Sequence, residues 1–260
     1  RVVRFLKSPS IKIKRRKKKM SEFDQEAFNN FIIDNNIIGF FPEAKKLKSG
    51  RMSHWYVNWR TPTSDPVLII DLAYYVLDFA NDFSAKSEIP TETFYGVPEG
   101  ATKIAIVTQL VKVADDVEAK PGQYVLSMGR GSPKPHGDAK DRYFIGMPKG
   151  YTAIIEDVTT TGGSLLTTID NLTDAEVNVA IAIGLTNRME LTLDLKSGVE
   201  QAVNEKGVVY KAMSNAHELL PLAFAHALDK GIIKGEQAIT IAKSIEKEFD
   251  EYGLQPLKLI

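Results

Sequence analysis

The sequence predicts an α/β fold: a mainly parallel central sheet flanked by helices, with a small N-terminal hood and an extra C-terminal helix. Three observations predict it. Short β-rich runs alternate with helical ones through the middle of the chain, the pattern of strands joined by crossover helices. The run Val177 to Ile183 is apolar enough for a strand buried on both faces. The stretch from Ile154 to Ser164 reads as buried strand, Gly-rich turn and helix start.

Taken in order, Glu22 to Asn36 is helix-like and ends in Asn-Asn. A turn at Leu47-Lys48-Ser49-Gly50-Arg51 precedes an aromatic, strand-like stretch from Trp55 to Trp59. Ser64-Asp65-Pro66 starts a helix, with a capping side chain and a first-turn proline, and that helix runs to about Phe83. A strand from Thr93 to Val97 leads through a Gly-containing turn into a helix ending near Asp115. Gln123 to Met128 and Tyr143 to Ile145 are β-rich runs flanking a loop of Gly, Pro and Lys. Ala153 to Ile155 is a strand, Ser164 to Leu172 a helix, Val208 to Met213 a strand and 215–229 a helix. A last helix, about Lys234 to Tyr252, carries Ala238, Ala242, Ile245, Phe249 and Tyr252 on one stripe, a packing face.

Composition narrows the function classes. The 260 residues are 43% hydrophobic and 25% charged, enough to bury a core, so disorder is excluded for most of the chain. The absence of cysteine excludes disulfides, thiolate metal sites and cysteine nucleophiles. The longest apolar stretch, Pro66 to Ala80, is broken by Asp71 and Asp78 and is too short to span a bilayer, so a cytoplasmic protein with no membrane partner is expected.

The formal charge of zero conceals an asymmetry. Residues 1–20 hold ten basic residues and no acid, which leaves 23 basic against 33 acidic residues and a body at −10. Such a like-charged block repels itself, so 1–19 reads as a disordered tail. Met20 followed by Ser-Glu-Phe-Asp looks like an ordinary start, and the tail need not be native sequence. An acidic body gives a nucleic-acid arm no supporting basic face, so no nucleic-acid partner is expected. The expected organisation is tail 1–19, main domain 20–232 including the hood, and helical extension 233–260.

The chemistry concentrates in Glu156-Asp157-Val158-Thr159-Thr160-Thr161-Gly162-Gly163-Ser164. Ligands of open parallel sheets bind at the carboxyl ends of strands. Backbone N–H groups of Thr160, Thr161, Gly162, Gly163 and Ser164, backed by a helix N-terminus, form a nest for a phosphate. No Lys follows the Gly pair, which excludes a nucleoside-triphosphate P-loop. Two carboxylates at the strand's end accept hydrogen bonds from a sugar diol and favour a ribosyl carbon that becomes cationic. Phosphate on the turn and ribose over Glu156 and Asp157 describe a ribose 5-phosphate site.

That segment resembles the phosphoribosyl-diphosphate signature of the type I phosphoribosyltransferases. Leu47-Lys48-Ser49-Gly50-Arg51-Met52-Ser53, followed by Trp55-Tyr56-Val57-Asn58, is similar to the N-terminal substrate segment of the orotate members. The resemblance implies Lys48 at the base and diphosphate end and Tyr56 near the pyrimidine ring. Arg130-Gly131-Ser132-Pro133-Lys134-Pro135-His136-Gly137-Asp138 resembles their mobile catalytic loop, with Gly131 where the family often has Lys. By that resemblance Arg130, Lys134 and His136 close over the diphosphate, reaching the neighbouring subunit's site in a homodimer. Gly96 to Thr102 is similar to the diphosphate loop, with Gly100 where several bacterial members have Lys. Leu185-Thr186-Asn187-Arg188 resembles the place where these enzymes keep an Arg for the substrate carboxylate, with Asn187 in place of an Asp.

The implied activity is Mg²⁺-dependent transfer of ribose 5-phosphate from 5-phosphoribosyl 1-diphosphate to orotate, giving orotidine 5′-monophosphate and diphosphate. Lys134, His136 and Asp157 would be catalytic. Lys48, Tyr56, Arg130, Glu156, residues 160–164 and Arg188 would bind substrate. The alternatives are the same transfer to another nucleobase and a non-catalytic regulator that binds the same sugar phosphate.

Overall fold

A computed structural model describes residues 22–132, 134–136, 138 and 142–260. The basic tail 1–19 lies outside them. The body opens with α1, Gln25–Asp34, capped by the Asp24 carboxylate, which accepts from the Ala27 N–H. An antiparallel hairpin follows, β1 (Ile38–Lys46) and β2 (Met52–Val57), joined by the turn that carries Lys48. The sequence reading found β2 and not β1. Gly39 and Pro42 disguise that strand, and the pairing register shifts between Phe40 and Lys45, where a proline is tolerated.

A short 3₁₀ turn, Pro62–Ser64, leads into α2, Pro66–Ser87. Asp65 caps α2 by accepting from the Val67 and Leu68 N–H groups, as its sequence start predicts. Then come β3 (Thr93–Gly96) and α3 (Thr102–Asp115). The expected strands around the Gly/Pro/Lys loop shrink to two antiparallel residues each, β4 (Met128–Gly129) and β5 (Phe144–Ile145).

The central sheet is parallel in the order β3-β6-β7-β8, with β6 Thr152–Thr159, β7 Val179–Asn187 and β8 Tyr210–Ala212. Helices α4 (Gly163–Asp174), α5 (Val199–Asn204) and α6 (Ala216–Asp229) connect or flank its strands. The expected fold class, a parallel sheet with flanking helices, is what forms. Strand β6 runs four residues beyond Ile155, because Glu156, Val158 and Thr159 pair in register with Gly184, Thr186 and Asn187 of β7. The acids therefore lie within the strand's last turn of pleat rather than after it. Helix α5, six residues long, has too little sequence to show a periodicity.

The C-terminal helix α7, Gly235–Tyr252, buries Ala238, Ala242, Ile245 and Phe249, four of the five stripe residues. They join the main hydrophobic cluster, in which Phe249 stacks on Trp55 of the hairpin at 6.3 Å. The extension thus closes the back of the N-terminal hairpin. Among the described residues no helix is long and apolar enough to cross a membrane.

Candidate active site

At the carboxyl ends of β3 and β6 lies a cavity of about 1060 Å³. Its walls come from the hairpin (Lys48, Tyr56), the β3–α3 turn (residues 97–100), Arg130, the acidic pair and the turn from Thr160 to Ser164. Of the sequence-derived candidates, Lys48, Tyr56, Arg130, Glu156, Asp157, Thr160, Thr161, Gly162, Gly163, Ser164 and Arg188 line this space.

The turn presents unpaired backbone donors to this space. Gly162 is the N-cap of α4 in the left-handed conformation (φ 78°), and no side chain caps that end. The first N–H groups of the helix therefore lack intrahelical partners and concentrate positive potential on the cavity. Lys48 reaches across from the hairpin and donates to Ser164 Oγ at 3.0 Å. Its ammonium stands over the phosphate turn, whereas the resemblance placed it at the base and diphosphate end.

The carboxylates sit in a low-dielectric wall. Burial pushes Glu156 up to about 8, the neighbouring Asp157 adds to the rise, and Lys48 opposes it. Burial also raises Asp157, against the Val158 N–H, Arg60 and Lys48, which favour its charged form. Glu156 Oε2 is buried without a hydrogen-bond partner, and so is Nε of Arg130, which lines the same cavity. Buried polar atoms normally find partners, so each of these two is open to a ligand, Glu156 to a donor and Arg130 to an acceptor. Arg60, an exposed Arg that lines the same space, is a residue that sequence reasoning missed. Its only signal was its place directly after the aromatic strand.

Three of the expected residues stand differently from the rest. Lys134 and His136 are exposed and do not line the cavity. Lys134 is tied to Arg142 through backbone and side-chain hydrogen bonds, which holds it on the outer loop. Arg188 is only 1% exposed, and its guanidinium is engaged by Glu190, Glu248 and Ser53 while lying 3.7 Å over the Trp55 ring. A guanidinium with its fork already filled has no free face for a substrate carboxylate.

The overall fold recurs in solved structures. An orotate phosphoribosyltransferase from Francisella tularensis superposes with a TM-score of 0.58 at 17% identity, covering 87% of this chain and 99% of that one. UMP synthase from Leishmania donovani gives 0.57 at 18% identity, over 85% of this chain and 42% of that one. The chain has the type I phosphoribosyltransferase fold. In sequence it is similar to the orotate phosphoribosyltransferase of Methanosphaera stadtmanae, 26% identical over 189 residues, which is 73% of this chain and 92% of the relative. It is likewise 27% identical to that of Aquifex aeolicus over 177 residues, 67% of this chain and 86% of the relative. No family model matches the chain.

Proposed function

We propose that this phosphoribosyltransferase homologue transfers ribose 5-phosphate from 5-phosphoribosyl 1-diphosphate to orotate. The observation that carries the reading is the adjacency of Glu156 and Asp157 to the uncapped N-terminus of α4 in one cavity. The names of the sequence relatives supply the base. In the reaction the bond from the sugar C1 to the diphosphate oxygen breaks and a bond to the ring nitrogen forms, the nitrogen's proton passing to diphosphate or water. The electron pair leaves with diphosphate. Positioning and charge placement carry such a step, because the sugar carbon becomes cationic on the way. The turn 160–164 and Lys48 hold the 5-phosphate, and the acidic pair holds the ribose hydroxyls. Arg130 offers its free Nε to the diphosphate. Lys134 and His136 belong to the mechanism only if their loop folds inward, and a homodimer would bring a second such loop to the site.

Mg²⁺ fits this reading. The unpartnered Glu156 oxygen and Asp157 offer hard oxygen ligands, while no cluster of three such side chains exists among the described residues. A magnesium ion here would therefore be held largely by substrate oxygens and water, neutralising diphosphate charge.

Arg188 favours a second reading, in which the accepted base carries no carboxylate. One assay separates the two. The protein with magnesium and 5-phosphoribosyl 1-diphosphate is offered orotate, uracil, adenine, guanine and xanthine separately, and base loss is followed by ultraviolet absorbance. Consumption of orotate alone supports the first reading, and preference for uracil or a purine supports the second. Loss of no base would remove the transferase reading.

A further inference from the structure

Behind the hairpin, four charged side chains lie buried together: Arg51, Arg188, Glu190 and Glu248, at 8, 1, 1 and 7% exposure. They come from different parts of the chain and form a continuous relay. Arg188 Nη2 donates to Glu248 Oε1 at 2.7 Å and to Ser53 Oγ at 3.0 Å. Arg188 Nε donates to Glu190 Oε1 at 2.6 Å, and Arg51 Nη1 donates to Glu190 Oε2 at 2.8 Å. Arg51 Nη2 donates to the carbonyls of Leu191 and Thr192 at 2.9 and 3.2 Å.

Burying four charges is a poor way to gain stability, since apolar packing of similar volume does as well or better. What ion pairs with directional hydrogen bonds add is fixed geometry. The far end of this relay is the substrate hairpin. Arg51 closes the turn holding Lys48, where the Leu47 N–H donates to the Arg51 carbonyl at 2.8 Å. Ser53 and Trp55 face inward on the strand whose Tyr56 lines the cavity. The near end is Glu248 on α7, in the C-terminal extension.

We propose that Glu248 is a positioning residue for the substrate, acting through Arg188, Glu190 and Arg51 on the turn that places Lys48 over the phosphate cradle. The helix α7 is then part of the active site's framework and not a separate appendage. The proposal rests on the transferase reading only for its kinetic readout.

The test is a double-mutant cycle between Glu248→Gln and Lys48→Ala, with Glu248→Asp as the charge-conserving control. Glu248→Gln is expected to raise KM for 5-phosphoribosyl 1-diphosphate by about tenfold, the size of a typical coupling between linked sites, with kcat within about twofold. Glu248→Asp should lie nearer the wild type. In the Lys48→Ala background Glu248→Gln should change KM by less than about twofold, because its target is already gone. A purely structural role gives a different pattern: partial unfolding lowers apparent kcat and leaves KM unmoved. That pattern, an additive cycle, an unchanged KM in Glu248→Gln, or failure of both Glu248 variants to fold overturns the proposal. If the wild type turns over no base, the transferase reading fails on that control alone. The same cycle is then read as calorimetric Kd for ribose 5-phosphate, with the same expected ratios.

Discussion

A Cβ placed on Gly100 would stand 2.2 Å from Oδ2 of Asp157 and 2.5 Å from its Cγ. The β3–α3 turn therefore presses its bare backbone against a carboxylate proposed to hold the ribose. Where several resembled enzymes carry a Lys at this position, here a side chain has no room unless Asp157 turns away. Gly100→Ala should displace that carboxylate, and a displacement of about 1 Å in a positioned group costs on the order of 10²-fold in turnover. The expected result is a large fall in kcat with the thermal midpoint nearly unchanged. Normal kcat would show that Asp157 can move without consequence.

Glu156 makes stability depend on pH in a definite direction. Its folded-state value, about 8, lies above the ordinary 4.5, so the unfolded chain releases this proton first. The neutral form's contribution is complete below about 4.5 and is lost as pH rises through about 8. In the ligand-free protein stability should decline across that window by at most about 1.4 kcal/mol per pH unit from this one group. Glu248, pushed up to about 7 mainly by burial against the pull of Arg188, contributes in the same direction. Urea denaturation of wild type and Glu156→Gln at pH 6 and pH 9 isolates the Glu156 share. The variant should gain on the wild type at the higher pH, and equal slopes would assign the dependence elsewhere.

The sheet and the glycine turn were legible because they rest on local signals. An apolar run, two acids and a Gly pair within eleven residues specify strand, turn and helix start with no partner chain in view. The roles of Lys48 and Arg188 were not. Lys48 meets Ser164 across 116 residues, and Arg188 meets Glu248 across 60, pairings that no local pattern encodes. Glu248 was the least visible, because a Glu beside an apolar helix stripe ordinarily snorkels to water or stays exposed. Only the fold, which packs α7 beside the end of β7, brings it the Arg188 guanidinium.

Lys48 should contribute to phosphate binding directly. A hydrogen bond to a charged group is worth about 1.5–3 kcal/mol, so Lys48→Ala should weaken ribose 5-phosphate binding by roughly 10–100-fold. Titration calorimetry at two salt concentrations checks this, with the loss larger at low salt, where the ammonium is less screened. Unchanged affinity would mean that the ammonium leaves Ser164 when a phosphate arrives and contacts another part of the substrate.

Arg188 offers the sharpest contrast between an internal and a substrate-binding role. It is the shared partner of two buried carboxylates, Glu190 and Glu248, at 2.6 and 2.7 Å. Arg188→Met leaves Glu248 without its salt-bridge cation and Glu190 with Arg51 only, and stranding buried charge costs about 3–5 kcal/mol. The exposed pair Lys211–Glu200 provides the comparison, since Lys211→Met should cost about 0–1 kcal/mol. Urea midpoints of the two variants therefore should separate widely. Had Arg188 served only as a carboxylate anchor for the base, Arg188→Met would keep wild-type stability and raise KM for orotate while leaving KM for uracil alone. Adding Glu248→Met to Arg188→Met restores charge balance in the cluster and should recover part of the lost stability, an outcome that a substrate anchor gives no reason to expect.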